Sequence, residues 1–144
     1  MATVKGVNRT KLDTPNSGNI IPEGQNHGNL KVIFDSYELS STASGDIIQL
    51  GDLIPEGAAI MDVVIANDAL GASTTIKVGD SNDDDRYLAA YSTSSAARKS
   101  LQADGVIDSI GYRIGTNSGD NQLIATLGGG TGTGTLYAIV VYSL

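Results

Sequence analysis

From Leu30 onward the chain breaks into short runs rich in β-branched residues, each soon ended by a cluster of Gly, Asp, Asn or Ser. This punctuation restricts the fold more than any other feature, because strands of about five or six residues fit between the breaks and helices of ordinary length do not. Eight runs read as strands: residues 30–37, 45–50, 58–66, 73–78, 86–91, 106–114, 121–127 and 136–142. In the first, Leu30, Val32 and Phe34 share one face, opposite Lys31 and Asp35. Residues 58–66 (AAIMDVVIA) are the most apolar; Asp62 interrupts the parity of Ile60, Val64 and Ala66, so Ala59, Met61, Val63 and Ile65 are expected to face the core of a central strand. The turn at 67–71 is expected to fold 73–78 back as a hairpin. Around 95–101 lies the one helical stretch, Gly111 marks a bulge, and GGGTGTGT is a flexible connection before the last strand. The expectation is an all-β protein: a single antiparallel jelly-roll-like β-sandwich over residues 30–144, with an extended N-terminal arm over 1–29.

Residues 1–29 lack any apolar period, and Gly6, Pro15, Gly18, Pro22, Gly24 and Gly28 interrupt regular structure. They hold no unbroken apolar core of the secretory type. Lys5, Arg9 and Lys11 are the charges of the first twelve residues, on a protein whose formal net charge is −7. A basic, irregular segment preceding an acidic body cannot bury enough apolar surface to order itself, so it is either a disordered, frayed terminus or a tether ordered by a partner such as a neighbouring subunit. Fully extended, 29 residues reach roughly 100 Å.

The 144 residues contain no cysteine, no tryptophan, one histidine and one phenylalanine. Thiolate chemistry and disulfides are thereby excluded. The acidic balance argues against nucleic acid, and no apolar stretch reaches the ~18 residues of a membrane helix. The carboxylates of 80–85 begin like a calcium loop, but Asp85 stands where that loop needs glycine and Tyr91 where it needs glutamate; a solvated loop, with Arg86 pairing locally, fits better. His27 has only Glu23 near it, and no G-x-S-x-G elbow is present. Asp35, Glu38, Asp46 and Asp52 could supply an acid–base pair for glycoside hydrolysis, without the aromatic platforms sugars need. No catalytic residues, metal or cofactor are expected. Tyrosine outnumbers the other aromatics, and Tyr87, Tyr91 and Tyr112 are candidate interface residues.

The opening MATVKGVNRTKLDTPNSGNI, the later GDLIPEGAAIMDVVIANDALGASTTIKVGDSNDDDRYL and the small size together resemble the capsid cement (decoration) proteins of tailed bacteriophages with HK97-type capsids. The resemblance implies a non-enzymatic virion protein, made in the host cytoplasm and placed on the outer capsid surface. It further implies a homo-oligomer, dimer or trimer, whose extended termini pin neighbouring capsomers of the major capsid protein. In such an arm Lys5, Arg9 and Lys11 would meet acidic capsid surface, while Val4, Val7, Leu12, Ile20 and Ile21 fill shallow pockets. The rival readings are a carbohydrate- or host-surface-binding module, for which Tyr87, Tyr91 and Tyr112 would have to converge, and a glycan-degrading enzyme built on the carboxylates above.

Overall fold

Eight strands form two four-stranded antiparallel sheets in the computed structural model, which describes residues 4–5, 7–14, 16–18, 20–21 and 27–144. The strands are β1 (Leu30–Thr42), β2 (Ile47–Leu50), β3 (Ala59–Asn67), β4 (Thr75–Gly79), β5 (Leu88–Ser92), β6 (Ala97–Ser100), β7 (Leu123–Gly128) and β8 (Gly132–Ser143). One sheet has the order β1-β8-β3-β6 and the other β2-β7-β4-β5. The chain therefore crosses repeatedly between layers, in the jelly-roll-like order of a sandwich. Apolar side chains of both inner faces, such as Leu39, Val63, Ile65, Val78, Leu127 and Val140, interdigitate in one core.

The hairpin expected at 67–71 does not form. β3 pairs with β8 and β6, whereas β4 pairs with β7 and β5, so the segment after Asn67 carries the chain from one sheet to the other. The strand expected at 106–114 is a 3-10 turn (Ile107–Ser109) followed by Gly111 at φ +82°, with a single bridge between Arg113 and Ala59. The expected helix around 95–101 instead contributes β6, because the backbone of Val64–Asn67 offers it a ladder, and tertiary pairing overrides local propensity. At the end of this stretch Leu101–Asp104 is helical, as α2, capped by the Ser100 hydroxyl, which accepts from the Ala103 N–H at 3.2 Å.

In β3, Val63 and Ile65 face the core as expected, yet Ile60 is also fully buried, because an irregularity between Ile60 and Asp62 shifts the register. The glycine-rich stretch is partly strand: β8 begins at Gly132, and the bend before it needs Gly129, at φ +79°, where a Cβ would lie 1.9 Å from the Ser73 carbonyl oxygen.

The leading segment is not wholly extended, since Val7–Asp13 forms a seven-residue helix, α1. Gly6, Pro15, Pro22, Glu23 and Gly24, invoked above, lie outside the described residues. His27 is exposed, with φ at 62°.

Candidate interaction surface

An apolar surface facing solvent lies on the outside of the β1-β8-β3-β6 sheet. Alternation fixes which side chains point out: on β8, Leu136, Ala138, Val140 and Tyr142 fill the core, so Tyr137, Ile139 and Val141 face outward. On β1 the core takes Leu39, with Ile33 packed against it, which turns Leu30, Val32 and Phe34 out. These three are 65%, 63% and 63% exposed, and Tyr137 is 45% exposed. The face inferred from the apolar alternation of β1 is thus the solvent face.

The register brings these outward side chains together. Phe34 lies opposite Ile139, which lies opposite Val64; Val32 opposes Val141; Tyr137 opposes Ala66. The rings of Phe34 and Tyr137 stack on the diagonal, with centroids 6.3 Å apart and planes at 25°. Polar groups border the patch: Glu38 accepts from the Thr135 hydroxyl at 2.6 Å, Asp62 accepts the Val63 and Gln102 N–H groups, and exposed Arg98 lies opposite Ala66. A sheet that is apolar on both faces ordinarily has both covered. Among the described residues nothing covers this one.

A second apolar surface belongs to the leading segment. Val4, Val7, Leu12 and Ile20 are 89%, 75%, 49% and 72% exposed, and Ile21 is half-buried. Helices this short have little stability alone, so α1 depends on packing that its own exposed apolar residues do not receive. Its charge is less one-sided than the first twelve residues suggest. Asp13, at the end of α1, pairs with both Lys5 and Arg9, the latter at 3.0 Å with i,i+4 spacing. Of the expected basic contacts, Lys11 alone is outside these ion pairs.

The three candidate tyrosines do not form an open platform. Tyr87 is 1% exposed, in the core, which removes it as an interface residue; its hydroxyl has no partner and burial pushes its pKa well up. Tyr91 is half-buried and donates its hydroxyl to Asn67 Oδ1 at 3.1 Å. Tyr112 is half-buried beneath Arg86, whose guanidinium carbon stands 4.2 Å from the ring centroid. Its hydroxyl donates to Asp120 Oδ2 at 2.6 Å; burial first, and then this bond, raise its pKa to about 12.

Tyr112 belongs to a latch between two loops. Asp80, fully buried, accepts the N–H groups of Asn82 and Asp83 at 2.9 and 3.1 Å and forms an ion pair with Arg86. Ser81 and Asn82 donate to the carbonyls of Gly119 and Ser118. A Cβ on Gly79 would lie 2.0 Å from the Asp83 carbonyl oxygen, so glycine is needed where β4 enters this loop. The loop is therefore solvated only in part: Asp84 and Asp85 are exposed, while the carboxylate that opened the calcium-like pattern is spent on Arg86 and backbone donors. Among the described residues no three carboxylate or histidine groups are placed to hold a metal.

The carboxylates weighed for hydrolysis are scattered. Asp35 and Glu38 have opposite parity on β1, and Asp46 and Asp52 flank the two ends of β2. Asp35 accepts the Gly51 N–H at 2.7 Å and the Ser36 N–H at 2.8 Å, which hold its pKa below the ordinary carboxylate value, the reverse of what a general acid needs. An open groove of about 430 Å³ beside β2 is lined by Tyr37, Ser41, Asp46 and Gln49, among others. No helix among the described residues is long and apolar enough to cross a membrane.

Solved structures share this fold. A chain in the capsid asymmetric unit of cyanophage Pam1 superposes with a TM-score of 0.67 and 22% identity, over 91% of this chain and 98% of that one. A chain in the capsid of Ralstonia phage GP4 gives a TM-score of 0.61 and 18% identity, over 81% and 84% of the two chains. One in the acidic stable capsid of Helicobacter pylori bacteriophage KHP30 gives 0.54 and 13%, over 82% and 90%. No protein-family model and no curated protein sequence matches the chain. At these identities the likeness defines the class as a fold, the two-sheet β-sandwich described above.

Proposed function

We propose that this protein is a structural component of a phage virion, a cement protein that binds the outer surface of the capsid and strengthens the seams between capsomers. The observation that carries this reading is the near full-length likeness to a chain of a phage capsid asymmetric unit, joined to a leading segment whose apolar residues are uncovered. Residues 30–144 act as the body and 1–29 as the arm, and the partner of the arm is the major capsid protein of the same phage. No chemistry is needed for such a role; only binding free energy counts. Ordering an arm costs on the order of 1–2 kcal/mol per residue, so its apolar side chains must be buried on the shell to offset that loss. Homo-oligomerisation, as a dimer or trimer, adds effective concentration and so multiplies modest single-arm affinities.

The experiment is co-sedimentation with purified capsids of the full chain and of a chain lacking residues 1–20. The truncated body stays folded by circular dichroism and no longer pellets with shells. Undiminished pelleting of the truncated chain overturns the assignment of the arm. Binding to a glycan array, with none to capsids, would instead favour the carbohydrate-binding alternative.

A further inference from the structure

We infer that the outer face of the β1-β8-β3-β6 sheet is the surface on which a second copy of this chain docks, with the Phe34–Tyr137 stack near its centre. This deepens the homo-oligomer of the proposed function by naming its surface, and it is testable on the free protein without any capsid.

Three observations select a second copy as the occupant. The first is size. Strands of 13, 12, 9 and 4 residues lay out a face of about 600 Å² before pleating and side chains are added, from a rise of about 3.3 Å and a strand spacing of about 4.8 Å. A stable protein interface buries roughly 800 Å² on each partner, so the face is of the right order.

The second is composition. The centre is aromatic and aliphatic with a polar margin, the anatomy of an interface between like subunits, and Phe34 and Tyr137 are large side chains of the kind that anchor such contacts.

The third is charge. Among the described residues Arg98 forms no ion pair, and neither do Asp62 or Glu38 across the same face. Arg98 lies in the row of Ala66 and Tyr137, Asp62 in the row of Val141, and the Phe34–Ile139–Val64 row runs between them. A two-fold axis along that middle row carries Arg98 of one copy toward Asp62 of the other. An axis along the strands carries it toward Glu38. Either way the face complements itself, which an isologous contact requires.

The test is sedimentation equilibrium of the full chain, the Phe34→Arg variant and the Arg98→Glu variant, each checked by circular dichroism. The wild type is expected to be oligomeric at micromolar concentration. Phe34→Arg should raise the dissociation constant at least about 30-fold, the loss expected of a central anchor. Arg98→Glu should weaken association more mildly, with recovery in the Arg98→Glu, Asp62→Arg or the Arg98→Glu, Glu38→Arg double variant. A wild type that is monomeric at about 100 μM, or an oligomer indifferent to Phe34→Arg, overturns the inference. So does a Phe34 surface that becomes accessible to solvent only when residues 1–20 are removed, because the occupant is then the chain's own arm.

Discussion

Asp80→Ala should be among the most damaging single substitutions in the body, although Asp80 sits in what reads as a loop of solvated carboxylates. The side chain is fully buried, accepts two backbone N–H groups at 2.9 and 3.1 Å, and pairs with Arg86, itself only 17% exposed. Truncation leaves two donors short of a partner and a mostly buried guanidinium held only by the Tyr112 ring and by Asp83, 3.9 Å away. Breaking one partner of a buried ion pair costs about 3–5 kcal/mol. For a domain of this size that lowers the thermal midpoint by roughly 10 °C or more. Asp83→Ala is the control, since its carboxylate is far more exposed and its removal should cost no more than about 1 kcal/mol. Urea unfolding of both variants, followed by circular dichroism, decides the matter. Equal losses for Asp80→Ala and Asp83→Ala, or a loss below about 1 kcal/mol at Asp80, would refute the latch.

Two further outcomes follow from how the polar side chains are paired. Tyr87→Phe should be neutral or stabilising by up to about 1–3 kcal/mol in the same assay, because the hydroxyl it removes is buried without a partner; clear destabilisation would mean the hydroxyl is satisfied in solution. Acid should destabilise the fold. The Gly51 and Ser36 N–H groups lower the pKa of Asp35, and Lys99 and then the Ser100 N–H lower that of Asp104. Burial opposes the charge of Asp120, but hydrogen bonds from Ser118, Tyr112 and Gly115 outweigh it. A carboxylate whose folded pKa is depressed contributes its stability above the unfolded value and loses it as pH falls through the folded one. The thermal midpoint should therefore hold above about pH 5 and drop below about pH 4. Asp85, raised chiefly by its hydrogen bond with the Asp83 side chain, works in the opposite sense, and its exposure keeps that offset small. A midpoint that rises on acidification through pH 4 contradicts the assignment.

The sandwich was legible because strand runs bounded by turn residues survive tertiary rearrangement; seven of the eight observed strands overlap the runs read from sequence. What failed was pairing. Whether two successive runs form a hairpin or cross between sheets depends on partners such as β7 and β8, which lie more than 40 residues further on. β6 was hidden because ARKS carries no β signal of its own and is a strand only by leaning on Val64–Asn67. In β1 both parities carry three large apolar or aromatic side chains, Leu30, Val32 and Phe34 against Ile33, Tyr37 and Leu39, so alternation alone leaves its direction open. That ambiguity hid the uncovered sheet face. Its signal was in the sequence nonetheless: β8 is apolar at both parities from Leu136 to Tyr142, as a strand covered on both sides should be. Near the start of the chain Asp13, two positions beyond Lys11, pairs with Lys5 and Arg9 and so changes the charge balance that the basic residues alone suggest.

The central claim is that a capsid partner orders the leading segment. Amide hydrogen exchange across residues 7–13, measured on the protein alone and on the protein mixed with purified capsids, tests it most directly. Alone, a seven-residue helix with exposed apolar side chains should exchange within the first time points. On capsids the same amides should slow by orders of magnitude while those of the β8–β3 ladder stay unchanged. Equal exchange in the two samples, with the body demonstrably bound to the shell, would contradict it.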